Sequence, residues 1–199
     1  MKNEFVEHGE LIFKGIKPNN TTPTDYNEFY KSNYGSNEIV IGSYADMNGF
    51  GLVCIGVLRY QKSNCFKYLI LEILSSSKQS FSNIFKTLEG FSKTYKNNKI
   101  VGGYTNNKYC ENILLQLGLQ PILIEQANMQ DYTSLLASLL NDQLLFSTEK
   151  CKEIVKENFK KFDPESPIPN HTIYSILYGL NGYISQFYDV SIQPYINTY

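Results

Sequence analysis

Apolar residues follow two rhythms along this chain. Dense, strand-like blocks come first: Glu38 to Ile41 (EIVI), Phe50 to Tyr60 (FGLVCIGVLRY) and Phe66 to Leu74 (FKYLILEIL). Blocks of this length predict three strands, with Ser43 to Gly49 (SYADMNG) as the turn between the first two, and the short links favour antiparallel pairing. The period then changes. Phe81, Ile84, Phe85, Leu88 and Phe91 recur at helical spacing behind a capping Ser80, which predicts an amphipathic helix from Ser80 to Tyr95.

Helix and strand alternate beyond that point. Lys99 to Gly103 reads as a short buried strand, Asn107 to Leu117 as a helix closed by Gly118, and Pro121 to Glu125 as another strand. Tyr132, Leu135, Leu136, Leu139 and Leu140 make a helical stripe, Gln143 to Phe146 a short strand, and Cys151, Ile154, Val155 and Phe159 a further stripe. Asp163 to Pro169 (DPESPIP) is a proline-marked break before a last apolar helix, His171 to Tyr188, in which Gly179 and Gly182 suit close packing. Alternation of this kind requires crossover connections and a parallel section of sheet. Residues 1–36 read as a lead-in strand (Phe5 to Ile16) and an irregular linker, 37–188 as one α/β domain, and 189–199 as a tail.

Composition supports a single folded domain. Of 199 residues 42% are hydrophobic and 19% charged, enough apolar surface to offset the ordering of the chain. Eighteen basic and nineteen acidic residues leave a net charge of −1, so no general positive field steers the molecule to nucleic acid. Arg59 is the one arginine, and lysine meets phosphate as a point charge without a bidentate fork. Cys54, Cys65, Cys110 and Cys151 form no C-x-x-C pair and imply reduced thiols in a cytoplasm. The acidic, polar N-terminus does not read as a signal peptide, and no apolar run reaches the roughly 18 residues of a membrane span.

Several phrases resemble one family. FVEHGELIFKGIKP (Phe5 to Pro18) is similar to the segment that opens the nuclease half of the large terminase subunit of tailed phages, and IVIGSYADMNGFGLVCIGV (Ile39 to Val57) looks like its first hairpin. KIVGGYTNN (Lys99 to Asn107) and PILIEQA (Pro121 to Ala127) stand where that family has its fourth and fifth strands, and NHTIYSILYGL (Asn170 to Leu180) is similar to its closing helix. The resemblance implies an RNase H-like mixed sheet, three antiparallel strands followed by parallel ones, flanked by helices. It also implies a metal-dependent endonuclease working with double-stranded DNA and packaging proteins in a host cytoplasm.

Such a nuclease holds two magnesium or manganese ions about 4 Å apart on carboxylates from separate elements. The resemblance places those acids at Ser43, near Gly103 and at Tyr174, none of which is an anionic ligand. The expectation is therefore a nuclease-like pseudoenzyme with no resident cofactor. One alternative is an active enzyme, loaded with magnesium or manganese, in which Asp46 and acids such as Glu72 or Glu111 supply a displaced site; Asp163 and Glu165 precede the last helix. Another is a protein-interaction module that kept the fold alone.

Other candidates are weighed by their chemistry. His171 can orient a water or contact phosphate, or simply begin a helix beside a capping Asn170. Lys93, Lys96, Lys99 and Lys108, with Tyr95, Tyr104 and Tyr109 among them, offer a basic aromatic patch for DNA, or a solvated helix end. Lysines 150, 152, 156, 160 and 161 alternate with Glu149, Glu153 and Glu157 as an ordinary solvated face. No glycine-rich nucleotide motif, serine-nucleophile elbow or zinc spacing appears.

Overall fold

The computed structural model describes residues 37–46, 48–59, 66–76, 81–94, 100–104, 112, 115–116, 121–123, 129–142 and 144–187. The lead-in and linker (1–36), the tail (189–199) and nearly all of the helix expected over Asn107 to Leu117 lie outside them.

Six strands form one mixed sheet in the order β5-β4-β1-β2-β3-β6. β1 (Asn37–Asp46), β2 (Gly49–Arg59) and β3 (Phe66–Ser76) meander antiparallel at its centre. β4 (Ile100–Tyr104) adds parallel to β1, β5 (Pro121–Leu123) parallel to β4, and β6 (Leu145–Ser147) parallel to β3. This is the three-then-parallel arrangement expected from the sequence.

One boundary differs. Ser43 to Asp46 continue β1 instead of opening a turn, and Asp46 pairs directly with Gly49. The Asp46 side chain makes the tight connection possible: Oδ1 accepts the Asn48 and Gly49 backbone N–H groups at 2.7 and 3.1 Å, closing the reversal from within.

Alternation along the strands sends side chains to two cores. Ile39, Ile41, Leu52, Cys54, Leu69 and Leu71 meet Leu88 and Phe91 of α1 (Phe81–Thr94). Val40, Val53, Ile55, Val57 and Ile70 meet three helices: α2 (Met129–Asn141), α3 (Glu149–Lys160) and α4 (His171–Phe187). A bulge on β3 leaves Leu71 without a partner on β2. Its carbonyl is satisfied by the Thr148 hydroxyl at 3.3 Å and the Cys151 thiol at 3.4 Å, which anchors the start of α3 to the sheet.

The closest packing is between α4 and β1–β2. A Cβ on Gly42 would overlap the Ser175 carbonyl, and one on Gly51 the carbonyl of His171. From the other side, a Cβ on Gly179 would stand 2.9 Å from the Gly42 Cα. Helix and sheet therefore touch backbone to backbone, and α4 lies lower on the sheet than side chains would allow.

Gly42→Ala should destabilise the protein by about 2–3 kcal/mol, because two backbones must separate. Gly90 is the control: it is exposed in α1 with nothing within 4 Å of an added Cβ. Gly90→Ala should stabilise by about 0.5–1 kcal/mol through helix propensity. Urea unfolding of the two variants measures both.

Candidate functional site

β1 ends beneath the first turns of α4. The helix begins properly capped, with Asn170 Oδ1 accepting the Ile173 N–H at 3.0 Å. His171, the first helical residue, points to the end of β1, where its Nε2 lies 2.8 Å from Asp46 Oδ1. Both side chains are largely enclosed, at 14% and 23% exposure. Asp46 Oδ1 thus receives three hydrogen bonds, one from the ring and two from its own turn.

Burial is the largest single influence on the Asp46 carboxyl and raises it. The His171 hydrogen bond, the Asn48 N–H, the His171 charge and the Gly49 N–H together outweigh burial and hold the group below its ordinary 3.8. The ionised carboxylate only accepts, so the contact is a hydrogen bond in the tautomer that puts a proton on His171 Nε2.

Alternation decides which residues join this pair. Val40, Gly42, Tyr44 and Asp46 share the α4 face, while Ser43 is buried on the α1 face beside Ile41 and Ala45, its hydroxyl without a hydrogen-bond partner. Ser43 and Tyr174 are therefore not brought together. The β1 residue that meets Tyr174 is Tyr44, with ring centroids 4.8 Å apart, and the Tyr44 ring also lies 5.6 Å from His171 and 6.0 Å from Tyr178. Register sets Gly103 beside Gly42, contributing no side chain. Sequence reasoning missed Tyr44 and Tyr178. A strict two-residue count from Val40, carried through the expected turn, would have put Tyr44 on the face of Asp46.

The tyrosines do not substitute for acids. Burial, then the Asp46 charge, then Tyr174 push the Tyr44 phenol above its ordinary value, and burial does the same to Tyr174, so both stay protonated. The other acids stand apart. Glu72 is on β3 with β2 between it and β1, a separation of about 10 Å at ordinary strand spacing, and faces Lys150 at 3.7 Å. Asp163 binds the N–H of Glu165 in the loop before α4. Glu111 is outside the described residues. Among the described residues no three His, Cys, Asp or Glu side chains converge. Two divalent cations, each demanding several hard oxygens, do not fit the donors present there.

Of the proposed DNA-contact lysines, Lys93 is exposed and bound to Glu89 at 2.6 Å. Lys96, Lys99 and Lys108 lie outside the described residues. The expected ion-pair face on α3 is present, with Lys152–Glu149 at 3.4 Å and Lys161–Glu157 at 2.6 Å. An open groove of about 560 Å³ runs beside His171, lined by Asn48, Ser75, Asn158, Ile168, Pro169, Asn170 and Thr172. Apart from His171 its lining carries no titratable side chain, so charge alone gives it little hold on phosphate. No described helix is long and apolar enough to cross a membrane.

No protein-family model and no curated protein sequence matches the chain. Solved structures do. The large terminase of a thermophilic bacteriophage aligns over 87% of this chain and 44% of its own, with a TM-score of 0.58 and 13% identity. The P22 large terminase nuclease domain aligns over 88% and 92%, with a TM-score of 0.56 and 9% identity. A human cytomegalovirus terminase nuclease domain, soaked with manganese, aligns over 79% and 89%, with the same TM-score and identity. The chain spans less than half of the thermophilic phage's large terminase and most of each separate nuclease domain. Its fold is that of the large-terminase nuclease domain, which is RNase H-like.

A carboxyl held below 3.8 stabilises the native state fully above that value and loses the contribution as pH falls through its lower, folded value. Asp46→Asn should therefore be less stable than the parent protein at neutral pH, with the difference shrinking in acid below 3.8. Urea midpoints measured across that range check it; a difference independent of pH would remove the charge from the account.

Proposed function

We propose that this chain is a terminase nuclease-like domain associated with viral DNA packaging whose cleavage chemistry has been lost or strongly impaired. The observation that carries the reading is the pairing of a large-terminase nuclease fold with a β1–α4 junction occupied by Tyr44 and Tyr174. An RNase H-like nuclease activates water between two cations, and without several carboxylates nothing fixes those cations in line with the scissile bond. Asp46, the acid that the described residues place at this junction, is already bound by His171 and its own turn.

The remaining role is contact with double-stranded DNA or with other packaging proteins in the host cytoplasm. Any DNA contact is local, given a net charge of −1, and draws on lysines such as Lys93, Lys96, Lys99 and Lys108. Phosphate contacts of this kind weaken steeply with salt.

The test is incubation of the purified chain with supercoiled plasmid in magnesium or manganese, alongside a gel-shift titration at low and moderate salt. The expected result is intact plasmid and salt-sensitive retardation. Metal-dependent nicking abolished by Asp46→Ala would establish the displaced-site enzyme instead. Absence of both cleavage and retardation would leave the protein-interaction module.

A further inference from the structure

We infer that the end of the sheet beneath α4 is closed by a metal-independent latch, in which the Asp46–His171 pair ties the β1–β2 hairpin to the last helix. The inference deepens the proposed function and rests on it for the identity of this end of the sheet as the former cleavage site.

Three observations carry it. The acceptor capacity of Asp46 Oδ1 is used: the His171 ring at 2.8 Å and the Asn48 and Gly49 N–H groups at 2.7 and 3.1 Å surround it. A cation approaching that oxygen would have to compete with three donors, one of them on a ring that is only 14% exposed, which leaves it Oδ2 alone on this carboxylate. The space beside the pair is filled by aromatic rings, with Tyr44 against His171, Tyr174 and Tyr178 at 5.6, 4.8 and 6.0 Å. Finally, α4 rests on the backbone of Gly42 and Gly51, so helix and hairpin are held in direct contact just behind the pair.

The latch also does something specific for the fold. Hairpin and helix belong to opposite ends of the described chain, and the pair joins residues 125 positions apart. The bond is charge-assisted and partly enclosed, which makes it one of the stronger single contacts available between them. The Tyr44 ring packs beside the imidazole at 5.6 Å, tilted by 53°, while Nε2 meets the carboxylate.

Thermal unfolding of the whole chain, in EDTA and in millimolar manganese, tests the inference. The midpoint should be the same in both, and the electron paramagnetic resonance signal of free manganese should not diminish on adding protein. His171→Ala and Asp46→Ala should each lower the midpoint by about 3–6 °C. The double variant should fall by less than the sum of the two single losses, since both changes remove the same bond. A manganese-dependent rise in the midpoint overturns the latch, as does an additive loss in the double variant. If the variants do not fold, the manganese comparison on the parent chain decides by itself. Additive losses without plasmid nicking would sink the latch and leave the proposed function standing, whereas nicking would sink the proposed function first.

Discussion

A helix can rest directly on a sheet only where neither surface carries a side chain, and Gly42, Gly51 and Gly179 make such a place. The height of α4 follows from that contact. Lowering the helix brings its first turn level with the end of β1, and this is what puts His171 within 2.8 Å of Asp46 and the Tyr174 ring 4.8 Å from Tyr44. With ordinary side chains between them, helix and sheet would stand about 10 Å apart, and the same four residues would face each other across solvent. The site is therefore a consequence of packing. Its chemistry is decided by which side chains that packing forces together.

Among the described residues, the junction holds the Asp46 charge, met by the His171 ring and by two backbone N–H groups. Asp46 is held ionised by the ring and the turn in spite of the burial that opposes it. Tyr44 and Tyr174 are held neutral by burial, and Tyr44 further by the nearby Asp46 charge. The influences are linked: the Asp46 charge itself favours the protonated Tyr44 phenol beside it.

Much of the fold could be read from the order of apolar residues. The stripes at Leu88 and Phe91, at Leu136 and Leu139, and at Val155 and Phe159 are in the cores to which their helical spacing assigned them. The parallel additions followed from alternation of helix and strand. The end of β1 did not, because Ser43, Ala45 and Asp46 are residues of turns as much as of strands, and Asp46 serves both by ending the strand and capping the reversal. That ambiguity hid the parity of β1. Ser43, matched by phrase to the expected acid, points to α1, while Tyr44 points to α4. Gly179 could be marked for close packing from sequence, but its partner Gly42 is 137 residues away, and nothing local names it. The Asp46–His171 contact is hidden for the same reason: both residues were candidates singly, and only the packed helix makes them a pair.

On the proposed reading, a phenol stands at Tyr174, where the resemblance puts an acid, and a second at Tyr44, next to Ser43 where it puts another, and the exchange has its own energetic logic. Two carboxylates placed 4.8 Å apart, the separation of the Tyr44 and Tyr174 ring centroids, would repel by about 3 kcal/mol at an effective dielectric near 20. A nuclease meets that repulsion with cations, and its site is under strain whenever they are absent. Replacing the acids with aromatic rings removes the repulsion and substitutes favourable ring packing, worth about 0.5–1.5 kcal/mol per pair. The native state then gains stability in the metal-free form at the expense of the groups that would bind metal. A chain freed from cleaving DNA would lose nothing by that change.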